Sequence, residues 1–300
     1  MTASASPTPR QGAPGGGAPA IQWYPGHIAK AEKALTASLE KVDLVIEVRD
    51  ARIPLATAHP RLQRWIQAKQ HLLVVNRRDM VSEASRKAWD HWFRERDQTP
   101  WWCDARSGTG VSQLQQAAIR SGEALNARRL GRGMRPRPVR ALMLGFPNVG
   151  KSALINRLVR KKVVESARKA GVTRSLRWVR LGQDIDLLDA PGVLPPRLDD
   201  QQAALRLALC DDIGQAAYDT EAVALAFLRL LIQLETEPAA GVAPGLLQGR
   251  YGVAATGAAV EDWLSAAALR HTSGDTLRMA QRLLDDFRRS LLGPISLELP

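Results

Sequence analysis

The 300-residue chain contains only two cysteines, Cys103 and Cys210, and neither falls in a C-x-x-C or Cys/His spacing. This scarcity argues against a disulfide framework and a structural zinc site, and it fits a reducing cytosol. No apolar run approaches the roughly 18 residues of a membrane-spanning helix, so we expect no membrane segment. Apolar residues nevertheless make up 45% of the chain, which is enough for a normal hydrophobic core.

Acidic residues are almost absent from residues 124–183, which hold 16 basic residues against Glu165 alone. The rest of the chain is close to neutral, so this basic block accounts for the whole net charge of +12. A solvated, solubilising surface is one explanation. A polyanionic partner explains so concentrated a block better, and nucleic acid is the commonest polyanion.

Residues 1–20 contain five Ala, four Gly and four Pro and little that can pack, which predicts a disordered tail. The tail lacks the charged and apolar regions of a secretory signal, whereas an organellar transit peptide stays open. Six later segments have the composition of buried strands: 44–48, 71–75, 101–103, 139–144, 176–181 and 185–188. Helical patterns alternate with them, which predicts a mostly parallel sheet with right-handed crossovers. Residues 126–138, rich in Arg, Gly and Pro, are predicted to be a linker, and the pattern beyond 195 is helical to the end.

The segment from Gly145 to Ser152, G-F-P-N-V-G-K-S, is a complete phosphate-binding loop (P-loop) motif. A predicted strand precedes it and a predicted helix begins at Ala153. Its glycines let backbone N–H groups surround the phosphates, Lys151 can reach the β- and γ-phosphates, and Ser152 can bind Mg²⁺. The motif predicts a nucleoside triphosphate site that includes Asn148, Val149 and Gly150.

Two further segments have the spacing of nucleotide-sensing switches. Asp189-Ala190-Pro191-Gly192 follows a strand, where the carboxylate can hold Mg²⁺ through water and the Gly192 N–H can sense the γ-phosphate. Between this motif and the P-loop, the Thr173 hydroxyl can complete the Mg²⁺ shell, and the alternative is an ordinary loop threonine.

The base is predicted to be guanine. Asn76-Arg77-Arg78-Asp79 follows the second strand, and a carboxylate at Asp79 can accept two hydrogen bonds from guanine that adenine does not offer. Asn76 can tie this loop to the P-loop, and the plane of Arg77 can stack on the base. Asp104-Ala105-Arg106, after the third strand, lies where a backbone N–H would meet the guanine carbonyl.

The order of these motifs is unusual because the base-reading segments precede the P-loop. A sheet still assembles if a GTPase domain has been cut after its switch strand and its old ends joined through the linker. The segments 21–31 (I-Q-W-Y-P-G-H-I-A-K-A) and 48–54 (V-R-D-A-R-I-P) make the chain closely resemble the ribosome biogenesis GTPase A family. The resemblance implies a GTPase that binds the maturing large ribosomal subunit and acts late in its assembly.

The chain departs from the wider class in its base motifs, which read N-R-R-D in place of N-K-x-D and D-A-R in place of S-A-K. Arginine can stack as the stem of lysine does, so guanine preference should survive, and adenine use is the alternative. After Gly192 stands Val193, which cannot orient water as glutamine does in many GTPases. The resemblance points instead to His27 as the catalytic residue, and a structural role in capping the next helix is the alternative. Asn148 is a candidate K⁺ ligand that also has loop-shaping value.

We therefore predict an α/β, circularly permuted P-loop GTPase domain over 21–195, with a mostly parallel sheet and helices on both faces. An all-helical domain, 196–300, should follow it and bind RNA or the ribosome. The expected ligands are GTP or GDP, Mg²⁺ and K⁺, with no other small-molecule substrate. We expect a cytoplasmic monomer, with an organelle matrix left open. The rival hypothesis is a nucleotide-gated RNA-binding scaffold in which hydrolysis is not essential.

Overall fold

The computed structural model describes residues 21, 35–66, 69–160, 177–190, 192, 200–255 and 259–300. Residues 35–39 are helical and belong to α1. The remaining helices and strands follow in chain order: β1 (Leu44–Asp50), α2 (Leu62–Ile66), β2 (Gln70–Asn76), α3 (Glu83–Arg94), β3 (Pro100–Trp102), α4 (Val111–Leu130), β4 (Val139–Gly145), α5 (Lys151–Val159), β5 (Arg177–Leu181), β6 (Ile185–Asp189), α6 (Gln201–Leu209), α7 (Thr220–Leu234), α8 (Leu246–Tyr251), α9 (Val260–His271) and α10 (Thr276–Arg288). None of these helices is long and apolar enough to span a membrane.

The six strands form one sheet in the order β3-β2-β1-β4-β6-β5. All neighbouring pairs are parallel except β5 and β6, which are antiparallel. The P-loop strand β4 is central, and β1, which precedes it by about ninety residues, pairs with it directly. The strands that carry the base-reading motifs thus complete the sheet on one side of the P-loop, as the permuted order predicts.

Apolar residues on alternate strand positions cover the two faces of the sheet. On one face, Leu142, Leu144 and Leu188 pack with α1 and α2. On the other face, Ala141, Met143 and Leu187 join a large cluster that also contains residues of α4 to α10. The C-terminal helices therefore share a hydrophobic cluster with the sheet.

The structure differs from the sequence prediction in the linker before β4 and in the C-terminal segment. Helix α4 continues to Leu130 and so takes up the first residues of the predicted linker 126–138. The Asn126 side chain then closes the following loop, because it donates to the Arg137 carbonyl at 2.9 Å and accepts from the Arg137 N–H at 3.0 Å. Helical structure also ends at Arg288 rather than at the C-terminus.

The last residues return to the loop that follows β1. The Leu297 N–H donates to the Arg52 carbonyl at 3.0 Å, and the buried Glu298 carboxylate accepts from the Leu55 N–H at 2.7 Å and the Ala56 N–H at 3.1 Å. The Trp89 indole of α3 donates to the Glu298 carbonyl at 3.2 Å. These bonds to other elements engage backbone groups that a helix would use internally, which explains why the last residues are not helical.

Candidate functional site: a nucleotide-binding edge

The P-loop lies between the end of β4 and the start of α5, as predicted. Gly150 precedes the helix with a φ of +98°, and a Cβ there would lie 2.2 Å from the Asn76 Nδ2 atom, so only glycine fits. Lys151 is buried, and its Nζ donates to the carbonyls of Gly145 at 3.1 Å and Phe146 at 2.7 Å. Burial lowers the pKa of Lys151 to about 8. The P-loop thus holds a cation that anionic phosphates would attract.

Asp189 ends β6 beside the P-loop strand, at the register position opposite Met143 of β4. Its side chain is buried and its Oδ1 atom has no hydrogen-bond partner in the described part of the chain. Burial raises the pKa of Asp189, which the charge of Lys151 opposes. A buried carboxylate oxygen without a partner, next to a P-loop, fits an acceptor for a hydrated cation. Ser152 lies in the first turn of α5, one residue after Lys151.

Gly192 packs directly against the P-loop. A Cβ at this position would lie 2.5 Å from the backbone nitrogen of Pro147 and 2.6 Å from its Cα. Those contacts are with backbone atoms, so a larger residue would have to displace the loop. The glycine of the D-x-P-G motif therefore touches the loop that the phosphates are predicted to occupy.

Asn76 joins the base-reading loop to both neighbouring loops, and its predicted tie to the P-loop is confirmed. Its Nδ2 donates to the Val149 carbonyl at 2.9 Å, and its Oδ1 accepts from the Ala105 N–H at 3.1 Å. Asn76 is only 2% exposed. One buried amide side chain thus brings together segments that are separated by the whole of α4 and β4.

The predicted stacking of the Arg77 plane on a base is not what the contacts favour. The Arg77 guanidinium donates to the Asp50 carboxylate at 2.7 Å and to the Asn148 carbonyl at 2.5 Å. Arg77 has a φ of +64°, which turns the chain sharply after β2. Its charged end is therefore held between the P-loop and β1, and its methylene stem is what remains for contact with a base.

Asp79 is the exposed residue of the base-reading loop, in a turn of 3₁₀-helix that spans Arg78–Met80. Partial desolvation and the nearby charge of Asp104 raise the pKa of Asp79. Asp104 itself is buried and shapes its own loop, because its carboxylate accepts from the N–H groups of Arg106 at 2.7 Å and Ser107 at 3.0 Å. The N–H groups of Ala105 and Arg106 thus already have protein acceptors, which argues against the predicted contact of either with a guanine carbonyl.

A buried charge network behind the P-loop was not predicted. Asp50 is fully buried and accepts two hydrogen bonds from the Arg52 guanidinium, at 3.1 Å and 2.7 Å, and one from the Arg52 backbone N–H at 2.9 Å, besides the one from Arg77. Desolvation alone would raise the pKa of Asp50, but the charges of Arg52 and Arg77 lower it to about 2. The V-R-D-A-R-I-P segment contains both Asp50 and Arg52, so a buried strand that ends in charged residues was the available signal.

The network continues into the turn after α6. Arg52 donates to the Cys210 carbonyl at 3.3 Å, and the Asn148 side-chain amide donates to the Asp211 carbonyl at 2.6 Å. Asp212 is fully buried, and burial together with the charge of Asp50 raises its pKa. The Asn148 amide, a candidate K⁺ ligand, is thus bonded to the helical region.

Two predicted site residues, His27 and Thr173, lie outside the described residues, as does Val193. Their predicted roles in catalysis and Mg²⁺ binding stay predictions. Within the described residues, no group of three or more His, Cys, Asp or Glu side chains could hold a metal ion.

Known proteins match both the motifs and the fold. A family model described as 50S ribosome-binding GTPase matches residues 140–229. Ribosome biogenesis GTPase A of Bacillus cereus is 37% identical over 211 residues, which cover 70% of this chain and 71% of that protein. Short integuments 2, mitochondrial, of Arabidopsis thaliana is 33% identical over 70% of this chain and 56% of its own length. The crystal structure of GNP-bound YlqF from T. maritima has the same fold, with a TM-score of 0.60 and 21% identity over 90% of this chain and 98% of that one. The chain belongs to the ribosome biogenesis GTPase A family.

Proposed function

We propose that this chain hydrolyses GTP and that hydrolysis drives a late step in the assembly of the large ribosomal subunit, which the chain binds. The observation that carries the proposal is the Asn76 tie, which fixes a base-reading loop against a P-loop in permuted chain order. The relatives named ribosome biogenesis GTPase A support the biological process. The family model described as 50S ribosome-binding GTPase supports the partner.

Each motif then has a part in binding GTP. Asp79 selects guanine, Lys151 and the P-loop amides hold the phosphates, and Gly192 senses the γ-phosphate. Ser152, Thr173 and, through water, Asp189 would hold Mg²⁺, which neutralises phosphate charge when bound. The Oδ1 atom of Asp189, which has no hydrogen-bond partner among the residues that the structure describes, supports that assignment. We also propose K⁺ binding at Asn148. The Asn148 Nδ2 atom already donates to the Asp211 carbonyl, so the side-chain oxygen would be the K⁺ ligand.

His27 is the proposed catalytic residue. Valine at 193 leaves the usual water-orienting position without a polar side chain, and an imidazole can position water near neutral pH. Its segment would need to be fixed over the phosphates by the docked subunit. Intrinsic hydrolysis should therefore be slow and subunit-stimulated hydrolysis fast.

The basic block 124–183 is the proposed contact with ribosomal RNA, and the helical region 196–300 is the proposed second contact. We propose that the chain acts as a monomer, in the bacterial cytosol or in an organelle matrix. The bacterial and mitochondrial relatives support one compartment each.

Co-sedimentation with isolated large and small subunits tests this function, in the presence of GTP, GDP or a non-hydrolysable GTP analogue. We expect binding to the large subunit alone, strongest with the analogue, and release with GDP. Equal binding in all nucleotide states would contradict the proposal. Subunit-stimulated turnover that is unaffected by His27→Ala would favour the RNA-binding scaffold, in which hydrolysis is dispensable.

A further inference from the structure

Trp178 lies on β5, the edge strand of the sheet, and its side chain is 45% exposed. Every other tryptophan, tyrosine and phenylalanine residue that the structure describes is buried or half-buried. One exposed apolar residue is ordinary on a protein surface and needs no function. Its surroundings make this tryptophan different.

Trp178 forms one wall of a cleft of about 420 Å³ whose other lining residues are Lys41, Arg140, Arg180 and Asp186. Arg140 on β4, Asp186 on β6 and Arg180 on β5 are direct register partners across three adjacent strands, so their side chains share one face. The Arg140 guanidinium lies 6.0 Å from the centroid of the Trp178 ring. We call this site the Trp178 cleft.

The charge of the Trp178 cleft is positive. Three cationic side chains line it against the single carboxylate of Asp186, which pairs with Arg180. Arg140 and Lys41 are both exposed, and no ion pair of either occurs among the described residues. A flat aromatic ring bordered by arginine and lysine is complementary to an anion that carries a planar group.

The cationic surface extends beyond the cleft through the loop that follows α4. Arg137 of that loop forms two hydrogen bonds with the Asp43 carboxylate, at 2.7 Å and 2.9 Å, and the same carboxylate accepts from the Arg140 N–H at 3.0 Å. These bonds fix the loop beside Arg140. Arg132 and Arg135 of the loop are exposed, so the surface can follow several phosphates along a strand.

We propose that the Trp178 cleft binds single-stranded RNA, with one unpaired base stacked on the Trp178 ring and the flanking phosphates on Arg140, Arg180 and Lys41. This inference rests on the proposed function, of which it names the RNA-contacting surface. A folded protein partner would find few apolar atoms here besides the tryptophan, whereas an unpaired base needs only an aromatic face and nearby cations.

Arg140 and Asp186 lie toward the start of β4 and β6, so Trp178 is the cleft residue nearest to the nucleotide edge. Trp178 is the register partner of Leu188, and Arg177 is the register partner of Asp189. Successive strand residues point to opposite faces of a sheet, so RNA stacked on Trp178 would lie on the face away from the Asp189 side chain.

The test uses a fluorescently labelled 12-nucleotide single-stranded RNA and the full chain, with affinity measured by anisotropy at several salt concentrations. Trp178→Ala should weaken binding roughly 5- to 100-fold, since stacking on an aromatic side chain has that effect for each base. Trp178→Phe should keep most of the affinity. The same RNA as a duplex should bind Trp178→Ala, Trp178→Phe and the unaltered chain alike, because the bases of a duplex are not free to stack on Trp178.

Arg140→Gln combined with Arg180→Gln should weaken binding and lower the slope of log affinity against log salt by about 1 to 2, because each arginine that is removed leaves one phosphate with its counterions. The matched control is Arg94→Gln with Arg96→Gln on α3 and the turn after it, which makes the same charge change at the opposite end of the sheet. GTP affinity and thermal unfolding of every variant establish that the fold is intact. If Trp178→Ala unfolds, the arginine double variant decides, and unchanged RNA affinity and salt slope in that variant would overturn the inference.

The outcomes separate this inference from the proposed function. If Trp178→Ala binds the RNA and the large subunit as the unaltered chain does, the cleft is not an RNA site and the proposed function stands. If the variant loses subunit binding alone, the cleft meets a ribosomal protein, which also overturns the inference. If RNA binding depends on Trp178 while the unaltered chain binds no subunit, the cleft is supported and the proposed function fails.

Discussion

Removing the Asn76 side chain should weaken GTP binding because it separates the two halves of the nucleotide site. The Asn76 amide satisfies one carbonyl of the P-loop and one N–H of the 104–106 loop, at 2.9 Å and 3.1 Å, in a position that is 2% exposed. Each hydrogen bond contributes about 0.5–1.5 kcal/mol, and each buried group left without a partner costs about 1–3 kcal/mol. We therefore expect Asn76→Ala to cost about 2–4 kcal/mol, shared between the free energy of unfolding and that of GTP binding.

The assay is GTP affinity by titration calorimetry together with chemical unfolding of the nucleotide-free chain. Since both bonded groups belong to nucleotide-binding loops, we expect at least a roughly tenfold loss of GTP affinity, which corresponds to about 1.4 kcal/mol. Asn76→Asp should be no better. It keeps an acceptor for the Ala105 N–H, but it places a carboxylate oxygen against the Val149 carbonyl.

Asn126 offers a matched control. Its side chain makes the same pair of bonds, one to a backbone carbonyl and one from a backbone N–H, both with Arg137 and remote from the P-loop. Asn126→Ala should lower the free energy of unfolding and leave GTP affinity unchanged. The reasoning is refuted if Asn76→Ala binds GTP as well as Asn126→Ala does, or if Asn76→Asp retains full affinity.

Three further predictions concern the base, the catalytic residue and the buried charges. Asp79→Asn should shift preference from guanine toward xanthine nucleotides, measured by competition, and equal competition by ATP and GTP in the unaltered chain would contradict the role of Asp79. His27→Ala should leave GTP affinity nearly intact and lower subunit-stimulated hydrolysis roughly 10²–10⁴-fold, whereas a parallel loss of affinity would mark a structural histidine. Asp50→Asn should destabilise the chain by about 3–5 kcal/mol at pH 7, because Arg52 and Arg77 lose their buried counter-charge. Since the pKa of Asp50 falls from 3.8 to about 2, its stabilisation is present above pH 4 and lost as the pH falls through 2. Acid unfolding of Asp50→Asn should therefore depend less on pH in that window, and an unchanged profile would count against the network.

The strands could be predicted because a parallel sheet covered on both faces needs nearly continuous apolar runs. β2 and β4 match their predicted segments to within a residue at each end. β1 runs two residues further than predicted, through Arg49 and Asp50, because charged residues do not have the composition of a buried strand. Arg49 is tolerated there since it donates to the Glu47 carboxylate at 2.6 Å.

The site was predictable where a motif specifies the backbone and less so where a side chain chooses among partners. The P-loop and the Asn76 tie follow from motif and strand position, since parallel strands end at one edge. The Arg77 contact with Asp50 joins residues 27 positions apart through a pairing that register alone does not reveal. A charged side chain near buried charges pairs with them in preference to an exposed position, which is the physical reason that Arg77 contacts Asp50 and the Asn148 carbonyl. Its stacking on a base stays a prediction.

The buried network also explains how nucleotide loops and the helical region are held in one arrangement. Arg77 bonds both Asp50 and the P-loop carbonyl of Asn148, while the Asn148 amide bonds the carbonyl of Asp211 after α6. Each of these bonds crosses between elements that are distant in sequence, and none is replaced by water in a buried site without cost. Displacement of Asn148 would therefore disturb a base-loop residue on one side and the helical region on the other. In a permuted chain the helical region follows the switch segment directly, which is the first connection. The hydrogen bond from Asn148 of the P-loop to Asp211 is the second. The nucleotide edge is thus linked to the helical region twice, once by the chain that follows the switch segment and once by the hydrogen bond from Asn148 to Asp211.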